Sequence, residues 1–459
     1  MFTGLDRKPA LSPPDGLSSA FAMSTVLGLD IGSSSVIAGI LHGSKVACES
    51  PRAFFRSRCE GPKVEVDPDE LLRAVHTAIA SLGGQALKVD AIHLAVMCPA
   101  WVALDRKGRA LTPIVTHQDR RSVVQARAIE EKFGQARHLQ VCGCRPFPGG
   151  ISSTTWRWYL EHQPQRLRRA DLVGHLNTFL HRRMTGARVT DPSNASFTGL
   201  YRTLKLDGWS EELCANLGVS RTLLPEVHEA DRIGGLITPE AARAFGLRAG
   251  TPMLVGLMDG SAGMLLAGAK VGQLFNVCGS TDVLALCTDR PKPHERLLTR
   301  ALGVQGKWLQ VSTLAAAASA IYWVRDQCYQ GMPIKEFQAE FRRLSRVGPK
   351  AAGSVRFEPY MAGERTSIEQ RTGAFTGLTL ASTRTQMLSA VIEGLTRASA
   401  ERLPVLAGCG TKLRHTVAVS GGSDRLDQLM HRDWPGNWTF RAVTDATMRG
   451  LAMLTPKPL

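Results

Sequence analysis

Asp30 ends an apolar stretch, Val26-Leu27-Gly28-Leu29, and is followed closely by Gly32 and the serines Ser33, Ser34 and Ser35. A turn of this composition points backbone N–H groups and small hydroxyls at an anion, while the carboxylate can hold a hydrated Mg²⁺ beside it. Far downstream, Met258-Asp259-Gly260 places a second carboxylate after another apolar run, and Gly279-Ser280-Thr281 supplies a second hydroxyl-bearing turn. A third turn, Gly421-Gly422, precedes a helical stretch, where bare backbone can approach a flat or anionic ligand such as a nucleotide. Together these are the halves of a phosphate-transfer site. Taken singly, Asp30 would be an ordinary hairpin aspartate and Asp259 a helix cap worth about 1 kcal/mol.

The elements that must position these residues alternate between strand and helix. Apolar runs at 26–29, 36–41 and 91–97 predict strands, and the periodicity of 67–81, opening after Pro68, predicts an amphipathic helix. Further helices are expected at 122–133, 153–162 and 172–184. A Pro/Gly-rich stretch at 236–252 marks the expected domain boundary. Beyond it the logic repeats: strand 253–257, helix 261–269, strand 273–278, and late in the chain strand 415–419 with helix 425–433. Two similar α/β domains closing on a cleft are expected, with Asp30 and Asp259 on opposite walls.

Length and composition agree. A chain of 459 residues, 44% apolar, exceeds a single core and fills two. No uncharged apolar tract reaches membrane-spanning length, so no membrane partner is expected. Residues 1–23 carry Pro9, Pro13 and Pro14 without a hydrophobic signal core and are expected to form a disordered extension, with Met23 a plausible alternative start. The ten cysteines lack zinc-site spacing, which predicts reduced thiols in a cytoplasm. The net charge of +16 raises nucleic acid as a partner, but the basic residues are spread and come with five Tyr and fifteen Phe, so a solvated basic surface is the expectation.

Gly373-Ala374-Phe375-Thr376-Gly377-Leu378, followed by Gln386-Met387 and Ala390-Val391-Ile392-Glu393, resembles the second signature of the FGGY carbohydrate kinases. Pro359-Tyr360-Met361-Ala362-Gly363-Glu364-Arg365-Thr366 is similar to a xylulokinase-type segment, and the likeness runs in order from about Val26 to Met453. The resemblance implies two ribonuclease H-like (actin-like ATPase) domains flanking a catalytic cleft, at 24–247 and 248–459. It implies ATP and Mg²⁺ as cofactors and a ketose acceptor, a pentulose first and a heptulose or other polyol second; a weakened, merely binding member is the rival from another class. A small-molecule sugar partner and a possible homodimer go with it.

Residue by residue, the resemblance assigns the first phosphate motif to Asp30, Gly32, Ser33 and Ser34, with Asp30 at the metal. The second falls to Gly279, Ser280 and Thr281, adenosine binding to Gly421 and Gly422, and the general base to Asp259. Met97, Cys98, Asp119 and Gly260, with Asp259, fall on the sugar side. The chain also departs from the family pattern: Cys98 stands where a histidine is usual, His117 for a tryptophan, Thr155 for a lysine, and Asp282 for a glycine. A carboxylate at 282 would repel phosphates unless Mg²⁺ or an arginine offsets it. His93, Trp156 and Tyr159 are expected in the core, and Glu364-Arg365 is expected to form an internal ion pair shaping the cleft wall, with no catalytic part.

Overall fold

A computed structural model describes residues 25–369, 371–421 and 426–457. The expected extension at 1–23 and Gly422 lie outside the described residues.

The first sheet grows from a hairpin. Strand β1 (Thr25–Ile31) pairs antiparallel with β2 (Ser35–His42), which pairs with β3 (Lys45–Glu49). On its other side β1 runs parallel to β4 (Ala91–Val96), a strand buried at every residue, its apolar sequence interrupted only by His93, as suits a sheet covered on both faces. Helix α1 (Pro68–Ala80) covers one face with Leu71, Ala74, Val75, Ala78 and Ile79. Its start follows from Asp67, whose carboxylate accepts from the N–H groups of Asp69 and Glu70 at 2.9 and 3.3 Å, and from proline at the first helical position.

The sheet is completed from far along the chain. Strands β5 (Ile233–Leu236), β6 (Pro252–Leu254) and β7 (Leu257–Met258) join it, with β6 and β7 parallel to β4. The chain therefore changes sheets between Leu266 and Leu274, later than the composition shift at 236–252 suggests, because the apolar run after that shift is spent on β4. Residues 172–184 also differ from the single helix expected. Leu172–Gly174 pairs antiparallel with Ala100–Leu104 in a separate five-stranded sheet, and helix α2 (Leu176–Met184) begins only afterwards.

The second half repeats the plan. Strand β8 (Leu274–Cys278) pairs antiparallel with β9 (Asp282–Thr288), and β10 (Leu298–Ala301) and β11 (Trp308–Leu314) extend that side in the order β10-β11-β9-β8. On its far side β8 runs parallel to β12 (Thr416–Gly421), which pairs with β13 (Thr439–Ala442). The order β11-β9-β8-β12-β13 matches β3-β2-β1-β4-β6 strand for strand, so both halves carry the ribonuclease H-like plan.

Helix α3 (Asp259–Leu266) and the late helix α4 (Ala446–Leu451) join the halves. They touch where Gly450 lies on the Ala262 carbonyl, so closely that a Cβ there would fall 2.0 Å from that oxygen. Met448 of α4 seats its sulfur over Gly28 and Gly39 of the first sheet, positions with no side chain to block it. The Leu451 carbonyl accepts from His93 Nδ1 at 2.9 Å, and burial pushes that imidazole down to about 4, so His93 is a core histidine. Trp156 and Tyr159 are likewise buried.

Candidate active site

A cavity of about 550 Å³ opens between the two sheets, lined on one wall by Ser33, Met97, Cys98, Asp259 and Gly260 and on the other by Gly279, Ser280 and Thr281. Parallel pairing explains the first wall. Asp30 and Leu257 both stand opposite Ala95 of β4, from β1 and β7 respectively, so the C-terminal ends of these strands bring Asp30 and Asp259 to one sheet edge. The two carboxylates thus stand at one sheet edge, Asp259 lining the cavity and Asp30 behind its lining; the expectation of opposite walls is corrected, and the facing wall is supplied by the β8–β9 turn.

Their proximity shows in their titration. Burial raises Asp30 to about 7, with the Asp259 charge adding to it, Arg52 opposing and Glu49 adding a little more. Burial also raises Asp259, against the pull of the Gly260 N–H, Arg300 and Arg365. Asp259 is the first residue of α3, after Met258 at the cap position, and its Oδ1 accepts from Gly260 N at 2.6 Å. Its carboxylate is therefore not a conventional cap for the turn ahead and is left facing the cavity.

The hairpin turn holds Gly32 through its N–H to the Ser35 carbonyl at 3.0 Å and leaves Ser33 and Ser34 exposed. In the facing turn the Gly279 N–H donates to the Thr281 carbonyl at 2.8 Å, and the Ser280 carbonyl accepts from Ala317 N and Ser319 Oγ at the same distance. Asp282, next in sequence, points away from the cavity into the core. It is fully buried in an ion pair with Arg402 and accepts from Asn276 Nδ2 at 2.5 Å. An arginine thus offsets the carboxylate, as its position required. Gly421 ends β12 with φ +78°, and a Cβ there would fall 2.5 Å from the Cys278 carbonyl, so this position calls for glycine.

On the side away from Ser33, Cys98 sits 3.5 Å from His175 Nδ1, and His117 and Gln118 line the cavity. Burial, then Arg365 and Arg120, pushes His117 down to about 3, so it is a neutral imidazole there. Asp119 does not line the cavity. It is wholly buried, bound to Arg121 Nε and Nη2 at 3.0 and 2.7 Å and to Val64 N at 2.7 Å, and so braces the segment that carries His117 and Gln118. Thr155 is buried within the helix Ser152–His162 and does not line the cavity either.

Two cavity residues escaped the sequence. Glu364 pairs with Arg371 at 3.5 Å rather than with Arg365, which turns into the cavity toward Asp259 and His117; the expected Glu364-Arg365 pair is not formed. Arg300, in β10, lies 4% exposed on the cavity floor with Nη1 donating to Ser261 Oγ at 2.6 Å. A lone arginine inside the apolar run Leu297-Leu298-Thr299-Arg300-Ala301-Leu302 was the available signal.

Among the described residues no group of three or more His, Cys, Asp or Glu side chains could hold a metal by itself. Asp30 nonetheless suits a hydrated cation. Its carboxylate accepts no hydrogen bond from a described residue and stands beside a second carboxylate, an arrangement that a divalent ion would relieve.

Known proteins resemble the chain in sequence and in fold. The N-terminal domain model of the FGGY family of carbohydrate kinases matches residues 25–266, and the C-terminal domain model matches 274–431. The chain is 28% identical over 415 residues to a xylulose kinase of Escherichia coli, covering 86% of this chain and 82% of that protein. It is 30% identical over 455 residues to a glycerol kinase of Thermus brockianus, covering 94% and 89%. The crystal structure of a xylulose kinase from Rhodospirillum rubrum superposes with a TM-score of 0.82 at 23% identity, covering 94% of this chain and 88% of that one.

Proposed function

The chain belongs to the FGGY family of carbohydrate kinases and is a sugar kinase, and from that premise we propose that Asp259 is the general base that takes the proton of a sugar hydroxyl as that hydroxyl attacks the γ-phosphoryl of ATP. The observation that carries the reading is the placement of Asp259 at the start of α3, in the same cavity as the Gly279–Thr281 turn. A sugar hydroxyl has a pKa far above 7, so a carboxylate that orients it and accepts its proton assists attack on phosphorus. The remaining acceleration comes from alignment and from N–H donors fixed before the reaction.

The turn Gly32-Ser33-Ser34 and the turn Gly279-Ser280-Thr281 would cradle the phosphate chain from the two walls, and Gly421, at the end of β12, would admit the nucleoside. Asp30 would hold Mg²⁺, which neutralises phosphate charge when bound. Met97, Cys98 and Gly260 border the acceptor. A pentulose such as xylulose is the first acceptor to test, supported by the sequence resemblance and the names of the relatives; heptuloses and polyols belong in the same panel. Ten free cysteines suit a cytoplasmic setting.

Substrate-dependent ADP release across pentuloses, heptuloses, glycerol and hexoses, read in a coupled assay, tests the reading. Asp259→Asn should lower kcat by about 10²–10⁴ and leave ATP binding detectable. Turnover of that variant at the wild-type rate would remove Asp259 from the chemistry. A protein that binds ATP and sugar yet releases no ADP would be a binder.

A further inference from the structure

Phosphoryl transfer to a neutral sugar leaves the arginines of the cavity without a partner. Arg300 is buried to 4% exposure, and only its Nη1 is engaged, with Ser261 Oγ at 2.6 Å and the Ala301 carbonyl at 3.4 Å. Its Nε and Nη2 donate to no described residue, and Nη2 lies 3.1 Å from where a Cβ on Gly260 would stand, beside the proposed base. Arg365 likewise lines the cavity and donates to no described residue. A guanidinium removed from water without matched acceptors is costly, so a site that keeps two of them is organised around an anion.

Their neighbours tell which anion. Arg300 lines the cavity with Cys98 and Gly260 and donates to Ser261, two residues past Asp259, while Arg365 lines it with His117 and Gln118. Cys98 and Gly260 border the proposed acceptor, so both arginines are assigned to the acceptor end. His117 is neutral, Asp191 is wholly buried with its oxygens already held by Ser193, Asn194 and Asn177, and Asp259 forms no ion pair with either arginine, so neither carboxylate takes up the free donors of Arg300 and Arg365. Burial lowers both guanidinium groups, Arg300 to about 10 against the pull of Asp259, Cys98 and Asp191.

We infer that the acceptor is an acidic sugar, a polyhydroxy monocarboxylate whose carboxylate is held by Arg300 and Arg365 while one hydroxyl faces Asp259. The inference rests on the kinase reading and deepens it by giving the acceptor a charge. The planar guanidinium matches a carboxylate with two parallel hydrogen bonds, and a neutral ketose of equal length would leave those donors unpaired, the circumstance in which polar sites discriminate most strongly. The transfer itself is unchanged. The hydroxyl oxygen bonds to the γ-phosphorus, the bond from that phosphorus to the β–γ bridging oxygen breaks, the hydroxyl proton passes to Asp259, and ADP leaves.

The test is steady-state kinetics of the full chain with ATP·Mg²⁺ and matched acceptors: D-xylonate against D-xylulose, D-gluconate against D-fructose, with D-ribulose 5-phosphate to separate carboxylate from phosphate. At least one aldonate is expected to exceed its matched ketose tenfold or more in kcat/KM. Arg300→Met should remove that preference, mainly through the acceptor KM, with the KM for ATP moving less than threefold. Arg365→Met is the second variant if Arg300→Met does not fold. A ketose or the sugar phosphate as the preferred acceptor overturns the inference while the kinase reading stands. Equal losses for aldonate and ketose in the variant also overturn it, since Arg300 would then serve only as a counter-charge to Asp259. If no acceptor releases ADP, the kinase reading falls, and calorimetry decides the inference. Aldonate binding at least tenfold tighter than ketose binding and lost in Arg300→Met upholds it; equal binding overturns it.

Discussion

Asp259 and Asp30 are set apart by what surrounds them rather than by their type. Burial raises both, but at Asp259 the Gly260 N–H and two arginines work against it, whereas at Asp30 the Asp259 charge adds to burial and Arg52 opposes. The consequence for stability has a definite sign. A carboxylate whose folded pKa of about 7 lies above the ordinary 3.8 binds its proton more tightly when folded, so its contribution favours folding at low pH and is lost as pH rises from about 4 to 7. Asp30→Asn should therefore raise the melting temperature of the ligand-free protein at pH 8, by about 2–4 °C for each kcal/mol relieved, and change little at pH 4. The same variant should weaken Mg²⁺-dependent turnover. Calorimetric scans at the two pH values, beside an activity assay, check both.

Among the elements, α3 matters most, because its first residue is Asp259 and its middle is clasped by α4. Gly450→Ala would drive a methyl into the Ala262 carbonyl, and neither backbone can yield without moving α3. The expected cost is about 1–3 kcal/mol, the range for overpacking, with a fall in kcat larger than any change in the KM for ATP. Denaturant unfolding and steady-state kinetics read the two effects. The turn between β8 and β9 depends on the core beneath it in the same way. Arg402→Met would strand the Asp282 carboxylate in a fully buried position, at a cost of about 3–5 kcal/mol, and Asp282→Asn combined with Arg402→Met should recover much of the loss.

At the scale of the molecule, the two sheets contribute one wall each, so a ligand of the proposed site is expected to bind the folded pair and not either half. ATP·Mg²⁺ at a hundredfold excess over its Kd should stabilise the protein by about 2.7 kcal/mol, and an acceptor added together with a non-hydrolysable ATP analogue should add to that shift. A thermal-shift titration with each ligand alone and with both measures it. The chain carries a net charge of +16, and among the described residues Arg300 and Arg365 line the cavity. No described helix is long and apolar enough to cross a membrane.

Local chemistry was legible in the residues themselves. Asp67-Pro68 starts a helix, the largely apolar 91–96 run is a doubly covered strand, and glycine beside small hydroxyls makes a turn, because each depends on neighbours within a few positions. Pairing across the chain was not legible. That β7 lies parallel to β4, putting Asp259 beside Asp30, depends on residues more than 150 positions apart, and only folding sets that register. For the same reason Asp119, which stands in a substrate-like motif, could turn inward to Arg121, and Arg300, which stands in no motif, could arrive at the cavity floor. A sequence lists which charges exist; the packing of distant segments decides which of them are neutralised and which are left to meet a ligand.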